Sequence, residues 1–535
     1  MRALVDDDVD DGPAPAATGR PTRIPSWTAP VAVAAVVAVG VVLRFVQRSP
    51  LWLDEALSVN IASLPVGDLL EALRHDGHPP LYYLLLHYWM EVVGDGDMAV
   101  RALSGVFAVA ALPLVYLAGR RLAGRAGGRW ALVVAALSPY WVRYATETRM
   151  YSLVMLLVLA GYLLVVHALD RPTWPRLGGV AVVTGLLLLT HYWAFYLCAA
   201  VGVVLILRAW RQPAARGQTV RTLLALAAGG LLFLPWLSGF LYQTANTGTP
   251  WGAPLRPTAI VQTVLEDLGG GNVTEASLYG AVVLVLVLVA LFAARGSGHE
   301  VVLDLRTTPV VRNELLVVAV TLAIGAVVGL ATSATFQSRY AAVVVPLVLL
   351  AVAVGLVRLP RVAALAVGAV YLGLALFGLG WVNYYQRTQS VEVGAAVAER
   401  AQPGDVVVYC PDQLGPAYSR EMPDGLEEIS YPRLTAPERV DWVDYAETNA
   451  AADPAALAAE IRARADGHAI FLVWMSDYRT LGNQCQQLVT ELGLTENLIV
   501  QDQSRFYEPA FLHWAPAGES APGSSPAVGS ADDGS

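Results

Sequence analysis

The chain contains no lysine, so all 35 of its basic residues are arginines. A GC-rich genome accounts for that bias, and it is not read as a functional signal. Charge of either sign is scarce, at 15% of residues against 56% apolar, and mean hydropathy is +0.51. Those values exclude an ordinary soluble protein and point to a polytopic membrane chain. Cysteine is limited to Cys198, Cys410 and Cys485, with no CxxC pair. Also missing are a Walker A loop, a glycine fingerprint for dinucleotides, and HExxH or HxxxH metal spacing. The N-terminus is acidic and rich in Pro and Ala, unlike a cleavable signal peptide, so the first apolar run, from Val31, is expected to act as an uncleaved anchor. The net charge of -9 argues against acidic partners such as nucleic acid. Much of it lies in the two tails, however, and says little about a site.

What the sequence does have is long apolar runs. A hydrocarbon core about 30 Å thick takes about 20 residues of helix. Candidate spans are Val31–Phe45, Val100–Arg120, Trp130–Val142, Tyr151–Leu169, Leu177–His191, Tyr192–Leu207, Val220–Phe240, Leu278–Ala294, Leu315–Ala331, Ala341–Val357 and Val362–Trp381, which is about 11 transmembrane helices. Arginines crowd alternate loops: Arg120 to Arg129, Arg171 and Arg176, Arg208 to Arg221, Arg295 to Arg312, and Arg358 and Arg361. That side is expected to be cytoplasmic. An odd number of spans then puts the N-terminus inside and everything after Trp381 outside.

Trp130–Val142 would cover only about 20 Å at 1.5 Å per residue, and His191 interrupts the apolar stretch around it. Short or broken helices are tolerated where they line a wet cavity, so a cavity open to the outer face is expected there. Between Arg48 and Arg101, the outer loop 47–99 carries two apolar stretches at helical spacing, expected to lie in the interface plane. A twelfth span over Leu81–Val93 is the competing reading, and it would invert the arginine bias downstream. After Trp381 the pattern becomes that of a small α/β domain: helices over Ser390–Ala401, Asp453–Ala465 and Asn483–Leu492, strands over Asp405–Cys410 and Ala469–Met475, and two further strands near Leu498–Gln501 and Phe506–His513. The expected organisation is a cytoplasmic tail over 1–27, a membrane domain over 28–381, an outer domain over 382–517 and a tail over 518–535, both tails disordered.

Ionisable side chains at outer helix ends are functional candidates by default. Asp54 and Glu55 sit side by side just past the first span and can supply a base or cap the following helix. Glu147 and Arg149, after the short third span, suit a sugar hydroxyl and a phosphate, or form an ion pair. Arg339 and Tyr340 stand at another outer end, where the arginine can clasp a lipid phosphate or snorkel to headgroups. His75, His78 and His191 face outward too, and with a glutamate they could hold a divalent ion, although His78-Pro-Pro80 can equally fix a helix entry. Cys410 and Cys485 could pair if their domain is exported, or remain buried thiols. Asn272-Val-Thr274 forms a glycosylation sequon in an outer loop.

Taken in order, Trp52-Leu-Asp-Glu-Ala56, His78-Pro-Pro-Leu-Tyr-Tyr83, Leu137-Ser-Pro-Tyr140, Glu147-Thr-Arg-Met-Tyr-Ser152, Thr190-His-Tyr192 and Ser338-Arg-Tyr340 resemble the bacterial family-39 glycosyltransferases. Those are GT-C-fold relatives of protein O-mannosyltransferases and of the aminoarabinose transferase that acts on lipid A. The resemblance spans Arg44 to Trp381 and implies transfer of a sugar from a polyprenyl-phosphate donor to an acceptor lipid, glycan or protein at the outer face of the bacterial plasma membrane, usually with inversion. It makes Asp54 the base for the acceptor hydroxyl with Glu55 in support, and Arg149 and Arg339 partners of the donor phosphate, near Glu147, His78 and Tyr340. Lysines that some relatives place near the phosphate have no counterpart here, so arginine must serve. No cofactor is implied with certainty, and a divalent metal is possible. The alternative is a transporter or flippase of a polyprenyl-linked envelope precursor, for which the sequence lacks the expected internal repeat.

Overall fold

The computed structural model describes residues 28–271, 273–297 and 300–518. The two expected tails, apart from Gly518, and Asn272 of the sequon lie outside the described residues. Apolar runs with few turn residues give helices, in order α1 Thr28–Leu43, α2 Leu53–Ala62, α3 Val66–Asp76, α4 Leu81–Val93, α5 Asp97–Ala136, α6 Pro139–Ala145, α7 Tyr151–Asp170, α8 Trp174–Thr190, α9 Trp193–Arg211, α10 Arg216–Gly229, α11 Leu237–Asn246, α12 Pro257–Leu268, α13 Thr274–Phe292, α14 Arg312–Thr332, α15 Val345–Arg358 and α16 Arg361–Tyr384. Among the described residues, seven helical stretches are long and apolar enough to cross a membrane, and three more are apolar but shorter. Every one of the eleven expected spans falls on these helices.

Within α5, helical geometry fails at Ala123 and Gly124, where Gly124 takes a φ of 64°. There the chain doubles back tightly enough that a Cβ on Gly127 would stand 2.5 Å from the Gly119 carbonyl oxygen. Glycine supplies both the left-handed turn and the close approach. The returning limb ends at Ala136, where Arg44 of the preceding segment, fully buried, donates to the carbonyls of Ala135 and Ala136 at 2.7 and 2.8 Å. A cation at a helix C-terminus satisfies carbonyls that the ladder leaves open. Ser138 then caps the separate short helix α6, its hydroxyl accepting from the Trp141 amide. The third expected span therefore stops early, and α6 carries Arg143 and Tyr144 sideways below it.

Helix α15 is buried on all sides, from Val345 to Leu356, and packs against α5 and α13. A helix apolar all round belongs inside a bundle. Helix α7 fixes the two ends of that bundle. Its first residue, Tyr151, lies among the candidate site residues, whereas Asp170 at its far end pairs with Arg121 at 2.7 Å among the arginine-rich loops. Site and arginine belt thus stand a helix length apart, about 30 Å for 20 residues. Helices α2, α3 and α4 cover the site end. At 13 residues α4 spans about 20 Å, too short to cross. Near the arginine end, a hairpin of β1 Ala293–Ser297 and β2 Glu300–Leu303 joins α13 to α14, an element the polar Ala-Ala-Arg-Gly-Ser run did not announce.

The C-terminal domain follows α16 directly. Its main sheet runs in the order β5-β4-β6-β9-β7, from β4 Val406–Cys410, β5 Glu427–Ser430, β6 Ile470–Trp474, β7 Glu496–Ile499 and β9 Phe511–Ala515. β5, β4 and β6 are parallel, and β9 is antiparallel to both its neighbours. The single strand expected over Phe506–His513 is in fact two. Pro509, which has no amide to donate, separates β8 Phe506–Glu508 from β9, and β8 pairs instead with β3 Gln386–Thr388 in a parallel ribbon. Cys410 and Cys485 are joined as a disulfide between the end of β4 and the helix Gln484–Glu491.

Candidate active site

A cavity of about 540 Å³ lies between the site end of the bundle and the C-terminal domain. Asp54, His78, Arg149, Arg339 and Tyr340, five residues from four separate segments, all line it. Asp54 enters from the first turn of α2. Its Oδ2 stands 3.2 Å from Arg339 Nη1 and 4.0 Å from Arg149 Nε, and this buried oxygen accepts no hydrogen bond. The result is a buried carboxylate oxygen paired by charge with two guanidiniums and engaged in no hydrogen bond among the described residues. Arg339 also lies over the Trp52 ring, 5.7 Å from its centre, and Tyr340 packs on His191 and Trp193.

Arg149 is anchored on the other side. Its Nη1 donates to Ser58 Oγ at 3.0 Å, to the Tyr83 hydroxyl at 3.2 Å and to the Asp54 carbonyl at 3.3 Å, and Nη2 meets His78 Nε2 at 2.9 Å. A guanidinium only donates, so His78 Nε2 must accept. That leaves His78 Nδ1–H to donate to Asp76 Oδ2, 2.7 Å away, which also accepts from Tyr83 at 3.0 Å. Burial pushes the Asp76 carboxyl up, but His78, Arg149 and Tyr83 together hold it below the usual range. The His78-Pro-Pro80 run thus serves to orient an arginine.

Glu55 points elsewhere. It is fully buried, outside the cavity, and accepts from Arg101 Nε at 2.8 Å and Nη2 at 2.7 Å, Arg387 Nη1 at 2.9 Å and the Thr148 amide at 2.9 Å. Burial alone would raise its pKa, yet the two arginines and these hydrogen bonds outweigh that and set it at about 2. The expectation of two carboxylates side by side at a wet cavity is corrected here. Neighbours on a helix are turned about 100° apart, so Asp54 faces the cavity while Glu55 ties α2 to the α6–α7 corner.

Glu147 is also separated from Arg149. It lines a second cavity of about 530 Å³ together with Arg143, Arg387, Trp381 and Tyr385. Burial raises its carboxyl, opposed by Arg387 and Arg143. Trp52, Gln337 and Tyr507 line both cavities, and the Trp52 and Tyr507 rings meet edge to face at 4.9 Å. The two chambers therefore share an aromatic partition beside Asp54.

The three histidines proposed for a metal do not converge. His75 Nδ1 pairs with Asp441, both nitrogens of His78 are engaged, and His191 Nδ1 accepts from the Trp193 amide. Among the described residues no group of three or more His, Cys, Asp or Glu could hold an ion. These donors do not fit a resident metal.

Sequence reasoning missed what the C-terminal domain contributes. The β3–β8 ribbon brings in Arg387 and Glu508. Arg387 donates to Glu55, to the Thr146 carbonyl at 2.7 Å and to the Thr146 hydroxyl at 2.9 Å. Glu508 accepts at 3.2 Å from the amide of Leu53, the first residue of α2, whose own N-cap side chain makes no such bond. Burial lifts the Glu508 carboxyl well above the usual range, with the Leu53 amide opposing and Asp54 adding to the rise. No local pattern marks either residue, since each acts on a partner more than 300 positions away.

Residues 77–238 match the family described as dolichyl-phosphate-mannose-protein mannosyltransferase. ArnT from Cupriavidus metallidurans, in a crystal structure bound to undecaprenyl phosphate, superposes with a TM-score of 0.55 at 13% identity, covering 93% of this chain and 100% of that one. Its apo structure gives the same score and identity, over 91% and 98% of the two chains. The fold is that of the GT-C glycosyltransferases. An oligosaccharyltransferase from Archaeoglobus fulgidus, with zinc and sulfate, scores 0.49 at 10% identity over 82% of this chain and 67% of that one. No curated protein matches the sequence. The GT-C architecture and the seven long apolar stretches make this a multi-pass membrane protein, and its small C-terminal sheet domain completes the expected fold class.

Proposed function

We propose that the chain is a glycosyltransferase of the bacterial plasma membrane. It moves a sugar from a polyprenyl-phosphate donor to an acceptor hydroxyl at the outer face, with Asp54 as the base and inversion at the anomeric carbon. The observation that carries this reading is the buried Oδ2 of Asp54, engaged in no hydrogen bond among the described residues and flanked by two guanidiniums, on a residue that lines a cavity at the end of the bundle. That the similar ArnT structure holds undecaprenyl phosphate supports a donor of this class. The acceptor, whether lipid, glycan or protein, enters the same space.

The acceptor O–H breaks as its proton passes to Asp54. The acceptor oxygen bonds to the sugar's anomeric carbon, and the bond from that carbon to the phosphate oxygen breaks, leaving polyprenyl phosphate with one more negative charge. Arg149, buried, and Arg339, largely so, are both held by neighbouring side chains and are the fixed cations that stabilise that charge. Before substrate arrives Arg339 rests on Asp54. A phosphate that draws Arg339 to itself also frees the carboxylate, so the donor would complete the base. Glu55, with every lone pair engaged, acts by holding α2.

Sugar transfer from radiolabelled polyprenyl-phosphate sugars, measured on purified protein, tests the assignment. Asp54→Asn keeps the shape and removes the base, and transfer is expected to fall by about 100-fold or more. Wild-type rates in the mutant would remove Asp54 from that role. Movement of labelled lipid across vesicles without any transfer would favour a flippase instead.

A further inference from the structure

The floor and ceiling of the main cavity differ in chemistry. The bundle gives the floor two arginines, Arg149 and Arg339, whereas none of the side chains that the C-terminal domain contributes is basic. Besides Tyr507 and Glu508 of the β3–β8 ribbon, that ceiling is built from Gln413, Leu414, Trp442, Met475 and Tyr478. Their placement follows from topology. β5, β4 and β6 run parallel, so their carboxyl ends lie along one edge. Gln413 and Leu414 follow β4, Met475 and Tyr478 follow β6, and Trp442 lies on the segment after β5. The carboxyl edge of a parallel sheet is where α/β layers present their ligand-binding loops, and here that edge faces the cavity.

The polar groups on this edge are held in place by their neighbours. Tyr445 donates to Asp412 at 2.5 Å and its ring meets that of Tyr478 edge to face, and the Tyr478 hydroxyl accepts from the Gln413 amide. Gln413 is thereby oriented, and its side-chain carbonyl oxygen takes no hydrogen bond among the described residues. Trp442 is fixed by its amide, which donates to the His75 carbonyl at 3.1 Å, and by the Tyr445 ring 4.8 Å away. Arg433 of the same edge is taken up by Asp441 and the Val443 carbonyl. The cavity-lining residues of the edge combine flat aromatic rings with a pre-oriented amide and hydroxyl and include no cation, an arrangement that does not suit a phosphate. It suits a sugar ring, whose C–H face packs on an aromatic while its hydroxyls pair with amide and phenol.

Building on the transferase reading, we propose that this edge of the C-terminal domain is a saccharide subsite that binds a sugar ring through Gln413, Tyr478 and Trp442. The ring is either the sugar carried by the donor or a sugar of the acceptor. Arg149 and Arg339 hold phosphate below, and the ceiling reads hydroxyls above. Gln413 and Tyr478 are then specificity-determining residues that leave the proton transfer at Asp54 untouched.

The test uses the full-length protein in detergent micelles, with Gln413→Ala and Tyr478→Phe as variants. Thermal unfolding confirms that each folds, and the conservative Gln413→Glu variant, which keeps an acceptor oxygen, serves as a rescue. Steady-state transfer is expected to show KM for one substrate raised at least tenfold in Gln413→Ala with kcat within about twofold. A rise confined to the donor identifies the ring as the donor's, and a rise confined to the acceptor identifies it as the acceptor's. Unchanged KM for both in folded protein overturns the subsite. The second readout is independent of transfer. Binding of a panel of methyl hexosides and pentosides is followed by saturation-transfer NMR, with signals expected in wild type and lost in Gln413→Ala. No binding by any member of the panel overturns the proposal. Binding without catalytic transfer upholds the subsite and refutes the transferase reading.

Discussion

At the scale of single residues, adjacency in sequence did not translate into shared function. Asp54 and Glu55 look like one acidic motif, yet a single helical step gives one a carboxylate oxygen with no hydrogen bond at a cavity, and the other three hydrogen bonds from a buried arginine pair and a fourth from the Thr148 amide. Breaking a buried ion pair from one side costs about 3–5 kcal/mol, so Glu55→Gln is expected to lower thermal stability sharply in micelles, whereas Asp54→Asn is not. The pH dependence has a definite sign. With its pKa held at about 2 against an ordinary 4.5, Glu55 contributes stability that is fully present above 4.5 and fades as pH falls through 2. The amount is about 3 kcal/mol. An unfolding temperature that drops between pH 4.5 and 2 in wild type but much less in Glu55→Gln checks this. Asp54, Arg149 and Arg339 were legible because each lies within a few residues of a long apolar run, where a charge stands out. Arg387 and Glu508 were not, because in a polar domain one more charged residue carries no contrast.

At the scale of elements, the apolar runs were readable almost to their ends, since about 20 consecutive apolar residues leave few alternatives to a helix. What they hid was how helices stop. Ala136 ends its helix because Arg44, some 90 positions earlier, accepts the task of covering its carbonyls, and α2 begins because Glu508 receives the Leu53 amide. Loss of an N-cap acceptor costs about 0.5–2 kcal/mol, a local effect that moves the helix carrying Asp54. Glu508→Ala is therefore expected to reduce kcat for transfer severalfold with a small loss of stability. Glu508→Gln, which keeps an oxygen for the Leu53 amide, should retain most of the activity. Equal loss in both variants would show that the carboxyl itself is needed and that capping is not its role. The β8–β9 break was missed for a related reason: alternation of apolar residues continued past Pro509, while the pairing partner changed from one sheet to the other.

At the scale of the whole molecule, the arginine belt and the site occupy opposite ends of one bundle. In the orientation proposed above, with the belt inside the cell, the C-terminal domain is exported. An alkaline phosphatase reporter fused after Ser535 is expected to be active, and one inserted between Ala214 and Ala215, in an arginine loop, inactive. The reverse result would turn the protein over in the membrane and move the reaction to the cytoplasmic leaflet. The same orientation places the Cys410–Cys485 bond in a compartment that permits disulfides.

The ribbon that pairs Thr388 with Glu508 has a further consequence, for the order in which the protein is made. The helix bearing Asp54 leaves the ribosome early, whereas the residue that caps it is among the last thirty of the chain. Until Glu508 has been made, the first turn of α2 lacks its acceptor and the cavity lacks the lining that the C-terminal domain supplies. On the proposed function, a chain stopped before Glu508 occupies the membrane without a finished site, and the arrival of the ribbon completes it.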